Sequence, residues 1–319
     1  MIFEKQILNF YKSMMYTRCD DVETAHYFSY LDFETLNAES LEFNSSRGYK
    51  LKGYFYSYPN PIKNRLIIFD HGFGGGHRAY MKEIEMLCKH GYMVFSYDHT
   101  GCMESEGVNP NGLCQSLCDL NDCINTIKQD ERFKDYDISV MGHSWGGFST
   151  LNITALHPDI SHIVVLSGFV SVPEMIKTFF SGILKGYQKA VVKLECESNP
   201  EFIKYNAIET LSNSNTKALL IYSENDALCK KSHYDMLKNS LSNKDNISFI
   251  LEKDKGHNPN YTKEAVLYLN EFSKQRAKIL KKKNLTKEDK EKFVESFDWN
   301  KMTIQDENIW NQIFNHLDN

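Results

Sequence analysis

The run Asp137-Ile138-Ser139-Val140-Met141-Gly142-His143-Ser144-Trp145-Gly146-Gly147 sets a serine between glycines, where an apolar strand passes into the helix-compatible stretch 148–156. A Gly-x-Ser-x-Gly turn of this kind holds its serine in a strained backbone conformation. A Cβ on either flank would clash, so the glycines are what a nucleophilic Ser144, exposed at a helix N-terminus, requires. A plain strand-to-helix turn is the alternative, and the strand before and helix after favour the nucleophile. A serine hydroxyl attacks poorly at neutral pH and needs a base, which in turn needs an acid to orient it. Both follow in chain order. The apolar run 218–222 ends in Ser223-Glu224-Asn225-Asp226, and the run 247–251 leads to Lys255-Gly256-His257-Asn258-Pro259. We expect His257 as the base and Asp226 as its partner, keeping the tautomer whose Nε2 is free to take the Ser144 proton. Glu224 is the rival acid, since either carboxylate can sit at that strand end.

The same chemistry needs two backbone N–H groups aimed at the oxygen that becomes negative in a tetrahedral intermediate. The strand-like run 65–70 enters His71-Gly72-Phe73-Gly74-Gly75-Gly76-His77, where small residues allow close approach. We expect the Phe73 N–H as one donor. The Trp145 N–H, at the positive end of the helix after Ser144, is the other. A phosphate-binding glycine loop fits less well, lacking both the Lys-Ser/Thr ending of one such pattern and the spaced glycines of the other.

Elements that would carry these residues alternate from about residue 65: helix 81–89, strand 93–97, a helix marked by Leu113, Leu117, Leu120, Ile124 and Ile127, and strand 163–166. Continuous β-branched runs suit strands buried on both faces of a parallel sheet. Segments 41–43 and 49–56 read as an antiparallel hairpin at its edge. Phe73, Ser144, Asp226 and His257 all follow strands, at the carboxyl edge where such sheets bind ligands.

Three stretches resemble the α/β-hydrolase family, within it the monoglyceride lipase and lysophospholipase-like group that includes S33-type serine aminopeptidases: His71-Gly72-Phe73-Gly74 with Arg78-Ala79-Tyr80, Asp98-His99-Thr100-Gly101 with Ser105-Glu106-Gly107, and Gly142-His143-Ser144-Trp145-Gly146-Gly147. With Asp226 and His257 the likeness spans most of residues 40–275. The second stretch departs from the group's common Gly-x-Gly, reading Gly101-Cys102-Met103. The resemblance implies an α/β-hydrolase fold, a mostly parallel sheet with helices on both faces, and a helical cap inserted at about 170–215. It also implies hydrolysis of an ester or amide without cofactor or metal. An S33-type aminopeptidase, an acyltransferase and a non-catalytic binding protein are the alternatives.

Composition agrees. The 319 residues carry a net charge of −5, with 41% hydrophobic and 25% charged, so one large core is feasible and a nucleic-acid partner is disfavoured. Charges interrupt the first eight residues where a signal peptide would be apolar, and no run approaches a bilayer span. The expectation is a soluble, cytoplasmic protein acting on a small acyl ester or amide. Its eight cysteines read as reduced thiols; Cys114 and Cys118, one helical turn apart, have no accompanying histidine pair that would make a metal site.

The division expected is an N-terminal helical extension at 1–37, a core at 38–275 and a C-terminal helical extension at 276–319. Apolar residues from Phe169 to Tyr187 recur at three- and four-residue steps, which predicts one cap helix. Phe169, Met175, Phe179 and Phe180 are the candidates for an acyl pocket; the alternative is that this face only covers the sheet. Glu174, Glu195, Glu197 and Glu201 are the cap carboxylates that an aminopeptidase would need for a substrate ammonium. In the tail, Lys278, Lys281, Lys282 and Lys283 precede Trp310, Ile313, Phe314 and Leu317, which share a helical face. That face, like Ile7, Phe10, Tyr11 and Met14 near the N-terminus, docks on the body or on a second subunit, so a homo-oligomer through terminal helices stays open.

Overall fold

The computed structural model describes residues 3–62 and 64–319; Met1 and Ile2, with which the expected N-terminal extension begins, lie outside them. Among the described residues, eight strands form one sheet: β1 (Asn37–Asn44), β2 (Lys50–Ser57), β3 (Arg65–Asp70), β4 (Met93–Tyr97), β5 (Asp137–His143), β6 (His162–Leu166), β7 (Lys217–Ser223) and β8 (Ile247–Glu252). Their order is β1-β2-β4-β3-β5-β6-β7-β8. The expected hairpin is present, with Asn37 opposite Ser57 and Asn44 opposite Lys50, and β2 runs antiparallel to β4. Every later pairing is parallel.

The helices are α1 (Glu4–Met15), α2 (Met81–Lys89), α3 (Gln115–Gln129), α4 (Trp145–Asn152), α5 (Val172–Phe179), α6 (Gln188–Ser198), α7 (Ala207–Ser212), α8 (Lys231–Leu241), α9 (Lys263–Ile279), α10 (Lys287–Glu295), α11 (Trp299–Met302) and α12 (Glu307–Asp318). Central strands are buried on both faces because successive side chains point oppositely and both sides are covered. Val140, Val165 and Leu220 pack with α3, α4 and α8 through Leu117, Phe148 and Leu237. Met141, Val164 and Ile221 face the other way, onto Ile84 and Leu87 of α2 and Ile309, Trp310, Ile313 and Leu317 of α12. The C-terminal apolar face thus docks on the chain's own sheet. The lysines nearby are exposed or paired, Lys292 with Glu288 at 2.6 Å and Lys290 with Glu23, as a solvated helical face requires.

Between β6 and β7 the structure departs from one continuous cap helix. The Ser171 hydroxyl caps α5 by accepting the Glu174 N–H, and Pro173 sits in its first turn. The helix ends at Phe179: Phe180 (φ −101°, ψ 62°) and Ser181 (φ −96°, ψ 172°) leave the helical region, and Gly182 then turns left-handed at φ +60°, which cannot resume a right-handed helix. A short 3₁₀ turn and α6 follow at a new angle, leaving Ile183 97% exposed rather than on an inward face. At the N-terminus, Tyr11 and Met15 of α1 point inward while Phe10 and Met14 are exposed.

Candidate active site

Strand β5 delivers Ser144 to a turn at φ 57°, ψ −109°, a conformation costing a non-glycine residue about 1–3 kcal/mol. The flanking glycines make the turn possible. A Cβ on Gly142 would lie 2.3 Å from the Gly146 carbonyl oxygen, and one on Gly146 2.0 Å from that of Asp70. The Ser144 N–H is held by the Leu166 carbonyl at 2.8 Å, so β6 fixes the turn from outside.

Asp226 and His257 come from the ends of β7 and β8. His257 Nδ1 lies 2.7 Å from Asp226 Oδ2; a carboxylate only accepts, so Nδ1 carries the proton and Nε2 is left bare. The other oxygen, Asp226 Oδ1, accepts the Leu228 and Cys229 N–H groups at 2.8 and 3.1 Å, which locks the carboxylate in place. Glu224 is exposed, turned from this group. The Ser144 side chain borders the same cavity as His257.

That cavity, about 230 Å³, has Gly72, Phe73 and Trp145 at one side and apolar walls of Met15, Leu113, Phe169, Met175, Phe179 and Leu228. Among the described residues no carbonyl accepts the Phe73 or Trp145 N–H. Three of the four acyl-pocket candidates, Phe169, Met175 and Phe179, line the cavity. Phe180 does not: α5 has ended before it, and its ring packs on Tyr11 with centroids 5.9 Å apart. Met15 and Leu228 reach the cavity from α1 and a loop, and Leu113, whose spacing reads as helical, reaches it from the loop before α3, which begins at Gln115.

Two buried networks aim the loop that bears Phe73. The His99 N–H donates to His71 Nε2 at 3.0 Å, and His71 Nδ1–H then donates to the Gly72 carbonyl at 2.8 Å. Burial keeps His71 neutral, its pKa lowered to about 4. Burial would also push His99 down, but Asp70 and Asp119 on either side outweigh it and raise its pKa to about 9. On the other side the Gly72 N–H donates to the Tyr80 hydroxyl at 3.1 Å, Tyr80 donates to His143 Nδ1 at 2.8 Å, and His143 Nε2–H donates to the His257 carbonyl at 2.7 Å. Burial lowers His143 to about 3, which keeps it neutral and this direction of donation fixed. Tyr80 and His143 stand in the motifs quoted above, where nothing in their spacing assigns them this linking role.

The cap carboxylates lie elsewhere. Glu174 pairs with Lys177 at 2.5 Å and Glu197 with Lys193 at 3.7 Å, Glu201 is exposed, and Glu195 on α6 is buried against Tyr11, Tyr16 and Leu113. Among the described residues, Cys118, Asp119 and Asp122 could converge on an ion. Asp119 already accepts from Thr100 and Gln115, and Asp122 from Ser46, so the carboxylates have work within the fold.

A family model described as "Serine aminopeptidase, S33" matches residues 61–232. The chain is 27% identical over 188 residues to a proline iminopeptidase of Saccharolobus solfataricus, covering 54% of this chain and 57% of that protein. It is 28% identical over 118 residues to the monoglyceride lipase of Rattus norvegicus, covering 36% and 38%. It therefore spans less than two thirds of either relative. An esterase of Pyrococcus furiosus superposes with a TM-score of 0.60 at 18% identity, over 83% of this chain and 98% of that one, a likeness in fold. The architecture is that of the α/β-hydrolases.

Proposed function

The chain belongs to the serine aminopeptidase S33 family, and on that premise we propose that it is a serine hydrolase cleaving small carboxylic esters through an acyl-enzyme. The observation that carries the reading is the 2.7 Å contact between His257 Nδ1 and Asp226 Oδ2, beside a serine on a strained turn in the same cavity. Ser144 Oγ attacks the ester carbonyl as His257 Nε2 takes its proton, and Asp226 stabilises the imidazolium. The Phe73 and Trp145 N–H groups receive the oxyanion at the start of α4. His257 then protonates the departing alcohol. It next activates the water that frees the acyl group from Ser144.

Ester is preferred over aminoacyl amide because the cavity is apolar. No carboxylate among the described residues lines it, and a substrate ammonium placed there would lose its hydration without a partner. Amide hydrolysis on the same three residues is the second reading, supported by the likeness to a proline iminopeptidase. The domain reading keeps a core at 38–275, with a cap at about 170–215 forming one wall of the acyl pocket. Any pairing of two copies through terminal helices would use α1, whose Phe10 and Met14, with Phe3 just before it, are exposed, since the apolar residues of α12 are buried on their own sheet.

Ser144→Ala lowers hydrolysis of a short p-nitrophenyl ester by about four to six orders of magnitude. Assaying the unsubstituted protein on graded acyl esters beside aminoacyl amides decides between the two readings. Activity unchanged in the alanine variant would end both.

A further inference from the structure

We infer that residues 304–306, in the C-terminal extension, are a positioning device for His257, with Asp306 acting through Lys255. The inference rests on the hydrolase reading and deepens it.

His257 sits on the loop between β8 and α9, residues 253–262, which has little regular structure of its own and turns through left-handed conformations at Asp254 (φ 60°) and Gly256 (φ 55°). Such a loop needs outside support if an imidazole on it is to keep one position. Asp226 and His143 hold His257 itself. The end of β7 helps, with Ser223 Oγ and Asn225 Oδ1 accepting the Lys255 and Gly256 N–H groups at 3.3 and 3.0 Å, as does Glu83, which accepts from Asn260 at 3.0 Å; further support comes from the far end of the chain.

On the upstream side, Lys255 is 2% exposed. Its ammonium donates to the Tyr261 carbonyl, spanning the loop beneath His257, and pairs with Asp306 Oδ2 at 2.5 Å. On the downstream side, the Asp306 N–H donates to the Asn260 carbonyl at 2.8 Å and the Thr262 N–H to the Ile304 carbonyl at 3.0 Å. Tyr261 and Gln305 form an antiparallel bridge, and Asn260 Nδ2 donates to Gln305 Oε1 at 2.8 Å.

The other ends of these bonds are anchored. Asp306 Oδ1 accepts the Asn308 N–H at 3.0 Å and so caps α12. Gln305 Oε1 also accepts from Trp310 Nε1 at 2.9 Å, and Trp310 is buried against the sheet. The loop is thus tied, across both flanks of His257, to a helix set in the core. A buried ammonium is tolerated only when countered, which makes Asp306 the member whose charge matters. Neither Lys255 nor residues 304–306 line the substrate cavity, so their effect on catalysis runs through His257.

Asp306→Asn tests this, because asparagine still caps a helix N-terminus but no longer neutralises Lys255. With a p-nitrophenyl ester, we expect kcat to fall about 10- to 100-fold, the scale set by a misplacement near 1 Å, with KM within about twofold. Ile313→Val, which weakens the packing of α12 without touching the loop, serves as the control: it lowers the unfolding temperature and leaves kcat unchanged. A folded Asp306→Asn protein with kcat within twofold of the parent overturns the inference, as does an equal kcat loss in Ile313→Val. Amide hydrogen exchange gives a readout independent of turnover. The Thr262 N–H is protected in the parent and exchanges at least tenfold faster in Asp306→Asn; equal exchange refutes the tie. If the parent neither hydrolyses esters nor labels with a fluorophosphonate, the hydrolase reading has failed, while the exchange result still decides whether the segment holds the loop.

Discussion

Glu195 offers a stability test whose sign is opposite to the usual loss on mutating a buried, hydrogen-bonded residue. It lies on α6 with its side chain buried, its Oε1 accepting from the Tyr11 and Tyr16 hydroxyls at 2.7 and 3.3 Å and its Oε2 from the Leu113 N–H at 2.8 Å. Burial raises its pKa from the ordinary 4.5 to about 7, although each of these hydrogen bonds pulls the other way. The folded protein therefore binds this proton more tightly than the unfolded chain. The stabilisation is complete below pH 4.5, falls as the unfolded chain ionises, and is gone once pH has passed 7. A gap of about 2.5 units corresponds to about 3 kcal/mol. Glu195→Gln keeps the shape and removes the ionisation, so it should match the parent near pH 4, exceed it by up to about 1 kcal/mol at pH 5 and by up to about 3 kcal/mol at pH 8. Urea unfolding at pH 5, 6, 7 and 8 measures the difference. Other shifted groups cancel in that subtraction: His99, raised to about 9, also loses stabilisation as pH rises, whereas His71 and His143, lowered to about 4 and 3, lose theirs as pH falls. A difference that stays constant from pH 5 to 8, or that grows toward acid, would refute the argument that burial outweighs the hydrogen bonds here.

Two further outcomes follow from the cavity and its turn. Gly146→Ala places a Cβ 2.0 Å from the Asp70 carbonyl oxygen; the turn has to move, carrying the Trp145 N–H with it, and the fluorophosphonate labelling rate should fall at least about a hundredfold, whereas an unchanged rate in a stable protein would show that the turn has slack. Phe179→Ala opens the cavity wall on the cap side, so the kcat/KM ratio of a long to a short p-nitrophenyl ester should rise about tenfold or more; an unchanged ratio would mean that the acyl chain runs elsewhere.

Much of the scaffold was readable because it obeys local rules. Helix 81–89 and strand 93–97 coincide with α2 and β4, and the central apolar runs that read as parallel strands are buried on both faces, whereas the run 247–251, at the sheet edge, is mostly half-buried. The predicted cap helix failed at residues 180–182, where the backbone turns extended at Ser181 and left-handed at Gly182 in spite of the apolar periodicity around it. With that break Phe180 left the pocket list and Ile183 went to the surface. Glu195 looked like a cap carboxylate available to substrate, yet its partners Tyr11, Tyr16 and Leu113 lie 184, 179 and 82 residues away, and no spacing rule relates them.

By itself the chain's order of residues determined the turn at Ser144, the alternation that makes a parallel sheet, and the candidates after each strand end. These depend on steric and hydrophobic preferences expressed within a dozen neighbouring residues. Tertiary structure alone decided that Asp226 rather than Glu224 faces His257, that Met15 from the first helix lines the cavity, and that Asp306 from the last segment neutralises Lys255. Each of these is a meeting of groups far apart in the chain, and such a meeting is set by how layers pack over the sheet, which no local pattern encodes.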